Sequence, residues 1–245
     1  MNQTVSIRGS AHTDLIHDSA IKHVSGSADY CDDIAEPIGT LHAYFGTAKV
    51  AHAEIKSMDL SAVRAAPGVV GVLTAEDVPG VNDVSPTGRH DEPLFATEKV
   101  EFWGQVLFAV VAESRDIARR AVELAKIDYT PLEHVIEADE AVAKGYPHVT
   151  PPMTLKRGDV AEGQADAAHR IQGQMRIGGQ DHMYLEGHIA FAMPGEDEEV
   201  IVHSSTPHPS EAQHMVAHVV AVSANATVVN RRRMSDGLGS SRHQD

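Results

Sequence analysis

Sixteen histidines in 245 residues make metal ligation the first chemistry to weigh. Glu211, His214 and His218 fall at i, i+3 and i+7, which on a helix puts one carboxylate and two imidazoles on a single face. Such a set is sterically able to hold zinc or iron. It lacks the His-Glu-x-x-His order of a metalloprotease, and an amphipathic helix turning its polar face to water accounts for the spacing equally well. A second cluster, Asp181, His182 and Glu186, follows Gly178-Gly179-Gln180. Paired glycines let backbone amides approach a ligand without a Cβ in the way. The Gln180 amide is a neutral donor and acceptor at any working pH. That suits holding an oxo group rather than moving a proton; the alternative is a strand-to-turn corner with exposed polar residues. Arg231-Arg232-Arg233 is expected to be a solvated strand end, and Gly237-Leu238-Gly239 is too short to carry meaning alone. Cys31 lies beside Asp32-Asp33, whose charge disfavours a thiolate nucleophile. As the only cysteine it excludes an internal disulfide and a Cys-based zinc site. No Ser-His-Asp order, phosphate loop or dinucleotide fingerprint is present. No catalytic and no metal-ligating residue is assigned.

These residues need a frame. The first twenty residues are polar and suit an extended arm, with regular structure expected after Gly26. Alternation predicts strands at 41–45 and 52–58. Asp59 is a candidate cap for a short helix over 60–66, stopped by Pro67-Gly68. The aliphatic run 69–73 has strand length, and 79–93, rich in Pro, Gly, Asp and Asn, is a long loop of the kind that more often carries function. Seven successive apolar residues at 106–112 predict a buried strand. Ser114 then caps a helix over 115–126, 127–129 is a strand, and Gly145 stops a helix over 136–144. Three prolines mark 146–159 as a linker. Beyond it come strands at 168–177, 189–193 and 200–204, a turn at 195–198, a helix at 210–223 and a strand at 227–233. The expected class is α+β, with an arm (1–20), a first domain (21–145), the linker, and an incomplete second domain (160–245).

Composition narrows the function. Hydrophobic residues at 42% and charged residues at 22% are ordinary globular values. Twenty Lys and Arg against 35 Asp and Glu give a formal charge of -15, which repels phosphate backbones and argues against a nucleic-acid partner. No apolar run approaches membrane-spanning length and no signal-like segment opens the chain, so a cytoplasmic protein without a membrane is expected.

Several stretches, taken in order, are more specific than any one alone. They are His17-Asp18-Ser19-Ala20, Lys22-His23-Val24-Ser25-Gly26, Tyr30-Cys31-Asp32-Asp33, Gly39-Thr40-Leu41-His42, Ala51-His52-Ala53 and Gly68-Val69-Val70. His90-Asp91-Glu92-Pro93, Gly104-Gln105-Val106, Gly178-Gly179-Gln180 and Tyr184-Leu185-Glu186 complete the series. From about residue 17 to Met234 the chain resembles the molybdenum hydroxylases, the xanthine oxidase and aldehyde oxidase family, most of all the molybdopterin-binding subunit of the bacterial xanthine dehydrogenase branch. The resemblance implies an α/β hammerhead domain to about residue 145, then the beginning of a molybdenum-cofactor domain. It implies that Gln180, beside Gly179, contacts an oxygen ligand of molybdenum, and that Gly237 and Gly239 belong to a cofactor loop.

Two departures qualify the resemblance. Family subunits are several times longer, and their catalytic glutamate has no counterpart here. After Met234 the family's glycine-rich loop is replaced by Ser235-Asp236-Gly237-Leu238-Gly239-Ser240-Ser241-Arg242, with Arg242 where a substrate-binding glutamate is expected. The end is therefore expected to be divergent or truncated, and the chain by itself inactive. The resemblance implies hydroxylation of hypoxanthine or xanthine at a molybdenum–molybdopterin centre, with electrons leaving through 2Fe-2S clusters and FAD to NAD. Those carriers would sit on a partner subunit or domain of a hetero-oligomer. The competing expectations are a related aldehyde oxidase, a non-catalytic assembly or interaction module of the same fold, and a His-rich metal-binding protein using Glu211, His214 and His218.

Overall fold

The computed structural model describes residues 16–17, 19–86, 88–179, 183–184 and 186–231. The chain divides into two compact units, one formed by Met1–Leu132 with Leu185–Asp245 and the other by Glu133–Tyr184.

In the first unit, α1 (Ala20–Ser25) ends on Gly26 in the left-handed conformation (φ 73°), so regular structure begins before that glycine, not after it. Next come β1 (His42–Thr47), β2 (Ala53–Asp59), α2 (Ser61–Arg64), β3 (Val69–Leu73), β4 (Lys99–Val100), β5 (Val106–Ala112), α3 (Arg115–Val122) and β6 (Lys126–Pro131). They build two antiparallel three-stranded sheets, ordered β1-β5-β3 and β4-β2-β6. The unbroken apolar run of β5 is explained by its central place: Leu107, Phe108, Val110 and Ala112 are all buried, so both faces of the strand are covered. Ala118 and Ala121 of α3 join them in one core with Val63, Val72 and Val100. Ser114 caps α3 by accepting from the Ile117 N–H (3.3 Å). The helix stops at Val122 rather than running to 126, because Lys126 is already paired with Asp59 in the β2–β6 ladder.

Later residues of the same unit form β7 (Ala190–Pro194), β8 (Val200–Ser204), α6 (Pro209–Val220) and β9 (Thr227–Asn230), after the second unit has supplied α4 (Ala138–Ala143) and α5 (Val160–Asp166). The β7–β8 hairpin turns at 195–199, where Asp197 takes φ 54°. β9 then runs parallel to β8 with Val200 opposite Thr227, and α6 is the crossover between them. Pro209 opens α6 at a position where its missing N–H costs nothing. Gln213 ties the helix to its sheet by donating from Nε2 to the carbonyls of Ala224 (3.1 Å) and Thr227 (2.7 Å).

The second unit has no buried residue among those described. Lys144 bridges Glu133 and Glu140 (3.0 Å each), and Arg176 meets Glu137 (2.6 Å). The strand expected at 168–177 is not formed. Ile171, Met175 and Ile177 alternate as a strand face should, yet no neighbouring strand among the described residues takes up the backbone N–H and C=O groups, and these residues stay exposed. α5, conversely, was not expected. Asp159 caps it by accepting from the Ala161 (2.9 Å) and Glu162 (3.1 Å) N–H groups.

Candidate functional site

Gly178 and Gly179 run through the exposed, extended stretch of the second unit, and a Cβ built on either would meet nothing within 4 Å. The same openness is found at Gly163 and Gly173 of this unit, so it leaves room for a close backbone approach without by itself marking a site. Gln180, Asp181, His182, Gly237, Gly239 and Arg242 lie outside the described residues.

Glu186 is not the exposed corner residue that spacing suggested. Its side chain is 6% exposed and that of Arg231 5%, and Oε2 of Glu186 lies 3.4 Å from Nη1 of Arg231. The other carboxylate oxygen accepts the Cys31 N–H (2.9 Å). Arg231 is therefore a correction to the expectation of a solvated basic triplet: its guanidinium has a buried acidic partner, invisible in a sequence where the two stand far apart. The resemblance had singled out both Tyr30-Cys31 and Tyr184-Leu185-Glu186, and their convergence was the signal available.

Glu211, His214 and His218 do share a face of α6. With Met215 they line a cleft of about 540 Å³ whose other wall is Asp83, Val84, Ser85, Pro86 and His90. The long loop is pinned at this wall. Asp83 accepts from the Ser85 hydroxyl (2.5 Å) and N–H (3.1 Å) and pairs with His90 Nδ1 (2.6 Å), while Ser85 Oγ accepts the Asp91 (3.0 Å) and Glu92 (2.8 Å) N–H groups. Partial burial pushes the Asp83 carboxyl up, but the hydrogen bonds from Ser85 and His90 outweigh it and hold the group below the usual carboxylate range. The loop also serves α6 directly. Gly80 and Val81 donate their N–H groups to the carbonyls of Val219 (2.9 Å) and His218 (3.3 Å), which the end of the helix leaves without helical partners. A Cβ at Gly80 would collide with the His218 carbonyl, so only glycine permits this approach. Among the described residues no group of three His, Cys, Asp or Glu side chains is arranged to hold a metal, the α6 face included.

Two stretches of the chain match known domains. Residues 25–133 match the a/b hammerhead domain of aldehyde oxidase and xanthine dehydrogenase, and 143–243 match the molybdopterin cofactor-binding domain. The chain belongs to the aldehyde oxidase and xanthine dehydrogenase family. Its α+β architecture is that family's hammerhead followed by the beginning of its molybdopterin-binding domain. Xanthine dehydrogenase/oxidase of Gallus gallus is 38% identical over 227 residues, covering 92% of this chain and 16% of that protein. Aldehyde oxidase 1 of Bos taurus is 36% identical over 226 residues, covering 92% and 17%. Aldehyde oxidoreductase from Desulfovibrio gigas superposes with a TM-score of 0.75 at 30% identity, over 88% of this chain and 26% of its own. The chain thus spans about a sixth of the curated relatives it matches. No helix among the described residues is long and apolar enough to cross a membrane.

Proposed function

We propose that this chain is the portion of a xanthine dehydrogenase molybdenum subunit that supplies the hammerhead and one wall of the cofactor site. In the complete enzyme it would take part in hydroxylating hypoxanthine or xanthine. The observation that carries this reading is the 38% identity to the Gallus gallus xanthine dehydrogenase/oxidase along nearly the whole chain. Bound there, molybdenum–molybdopterin supplies the redox chemistry. The part of these residues is to hold and orient it: Gly179 by leaving the backbone open, Gln180 by offering a neutral amide to an oxygen ligand, and Gly237 and Gly239 by a second backbone approach. The 2Fe-2S and FAD carriers that pass electrons to NAD belong to a partner subunit or domain, so the working form is a hetero-oligomer in the cytoplasm. Residues 146–159 serve as the linker between the two domain portions.

The test is an assay of an assembly that contains this chain together with the rest of the enzyme. Urate formed from xanthine supports the reading. Oxidation of aldehydes with no urate replaces it with an aldehyde oxidase, a reading that the 36% identity to the bovine protein also supports. A second reading, a non-catalytic interaction module, is favoured by the second unit, where Met153 (97%), Leu155 (102%) and Ile171 (101%) are fully exposed apolar side chains suited to a partner surface.

A further inference from the structure

We propose that the gap between the two hammerhead sheets is a binding site for a small neutral aromatic molecule that carries a hydroxyl group, a phenol. A cavity of about 240 Å³ opens there, lined by β1 and β5 of one sheet, by β6 of the other, and by the turn that follows α3. The alternation of the strands builds it. Tyr44 and Gly46 stand two apart on β1 and so share a face. The buried ring of Phe108, paired with Gly46 across the ladder, lies over that glycine. On β6, Ile127 and Tyr129 share the half-buried face, while Lys126, Asp128 and Thr130 are exposed. α3 ends at Val122, and Val122 and Ala125 line the cavity from its side. The site does not depend on the cofactor reading, since every residue that lines it belongs to the hammerhead.

The lining selects the ligand. Phe108, Ile127, Val122 and Ala125 give it apolar surface, and a cavity of roughly 150 Å³ is already enough for benzene. Tyr44 and Tyr129 bring phenol hydroxyls from two different sheets, neither of them hydrogen-bonded to another described residue. Such a hydroxyl both donates and accepts, so it can bond a ligand hydroxyl in either sense. Burial pushes the Tyr129 phenol up, so it keeps its proton throughout the neutral range. At the rim Lys49 and Glu123 are already paired (2.6 Å) and cancel each other's charge. The cavity therefore holds no free charge to offset the desolvation of an ionic ligand, and a neutral one is favoured.

Methyl NMR on the assembly that contains this chain together with the rest of the enzyme reads the cavity locally, through the δ1 methyl of Ile127, assigned by its loss in I127V. Phenol is expected to shift that methyl with a Kd on the order of 1 mM, the scale for a ligand of about seven non-hydrogen atoms. Toluene, of similar shape but without the hydroxyl, is the control. Y44F/Y129F should weaken phenol roughly tenfold and leave toluene within about twofold. Benzoate, an anion of similar size, should bind at least about tenfold more weakly than phenol. A125L should fill part of the cavity and weaken phenol and toluene alike, roughly tenfold or more; if it does not fold, the tyrosine variants still decide. An Ile127 methyl that does not move at about tenfold that phenol concentration overturns the site. So does a shift that A125L, folded, leaves intact. Phenol unaffected by Y44F/Y129F, phenol and toluene weakened alike by it, or benzoate binding as well as phenol overturns the ligand class.

Discussion

At Gly46 the Phe108 ring of the neighbouring strand occupies the space where a Cβ would stand, and the two residues are directly paired across the ladder. Phe108 is fully buried, so the ring must shift within the core to admit a methyl group. Gly46→Ala is therefore expected to lower stability by about 1–3 kcal/mol, the cost of overpacking a dense core. Thermal unfolding checks it, and an unchanged midpoint would mean that the strands separate easily. Gln180 calls for the opposite outcome. It follows two glycines with open space beside them, so Gln180→Ala in the complete enzyme should leave the melting temperature almost unchanged. Turnover should fall by roughly ten- to a thousandfold, as when one positioned donor is lost at a reacting centre. Equal turnover would make Gly178-Gly179-Gln180 a structural corner. What a glutamine offers at position 180, a neutral donor and acceptor, was legible from its residue type. The burial of Glu186 and Arg231 was not, because no local pattern announces a partner in another part of the chain.

Loops and helix ends were harder to foresee than strands, for reasons that differ from one element to the next. Strands 69–73, 106–112 and 200–204 have the bounds expected of them, and at 106–112 the continuous apolar run reflects burial on both faces. α5 escaped notice although Asp159 followed three residues later by Glu162 is a helix-start signal; Gly163 inside it weakens the helical pattern. α6 ends on Ala221 in the left-handed conformation at φ 60°, which a non-glycine residue adopts at a cost. Ala221→Gly should therefore stabilise the chain by about 0.5–1 kcal/mol, and chemical denaturation that shows a loss would refute this. The loop docked on α6 makes a pH prediction. Asp83 is held below its unfolded value, so its contribution is fully present above about pH 4 and is lost as pH falls through the folded value. The difference in melting temperature between the unsubstituted chain and Asp83→Asn should shrink as pH falls below about 4. A difference that grows on acidification would contradict the assignment.

For the molecule as a whole, the hammerhead portion was legible because its core is self-contained: the buried cluster from Ala48 to Ala121 closes within one continuous stretch. The second portion was less so. At 168–177 the alternation of Ile171, Met175 and Ile177 promised a strand, but alternation describes a face and says nothing about a neighbour. Glu211, His214 and His218 promised a shared helix face and delivered it, without three side chains arranged around a metal among the described residues. The family relationship rests on both domain matches together, since the hammerhead alone accounts for only 25–133. The central claim, that this chain contributes a wall of a molybdopterin site, is tested most directly by metal and pterin analysis. The assembly that contains this chain together with the rest of the enzyme would be purified from a host that makes the cofactor. Molybdenum and pterin present together, and diminished in Gln180→Ala, are the expected result. Zinc or iron without pterin, or neither metal nor pterin, would contradict it.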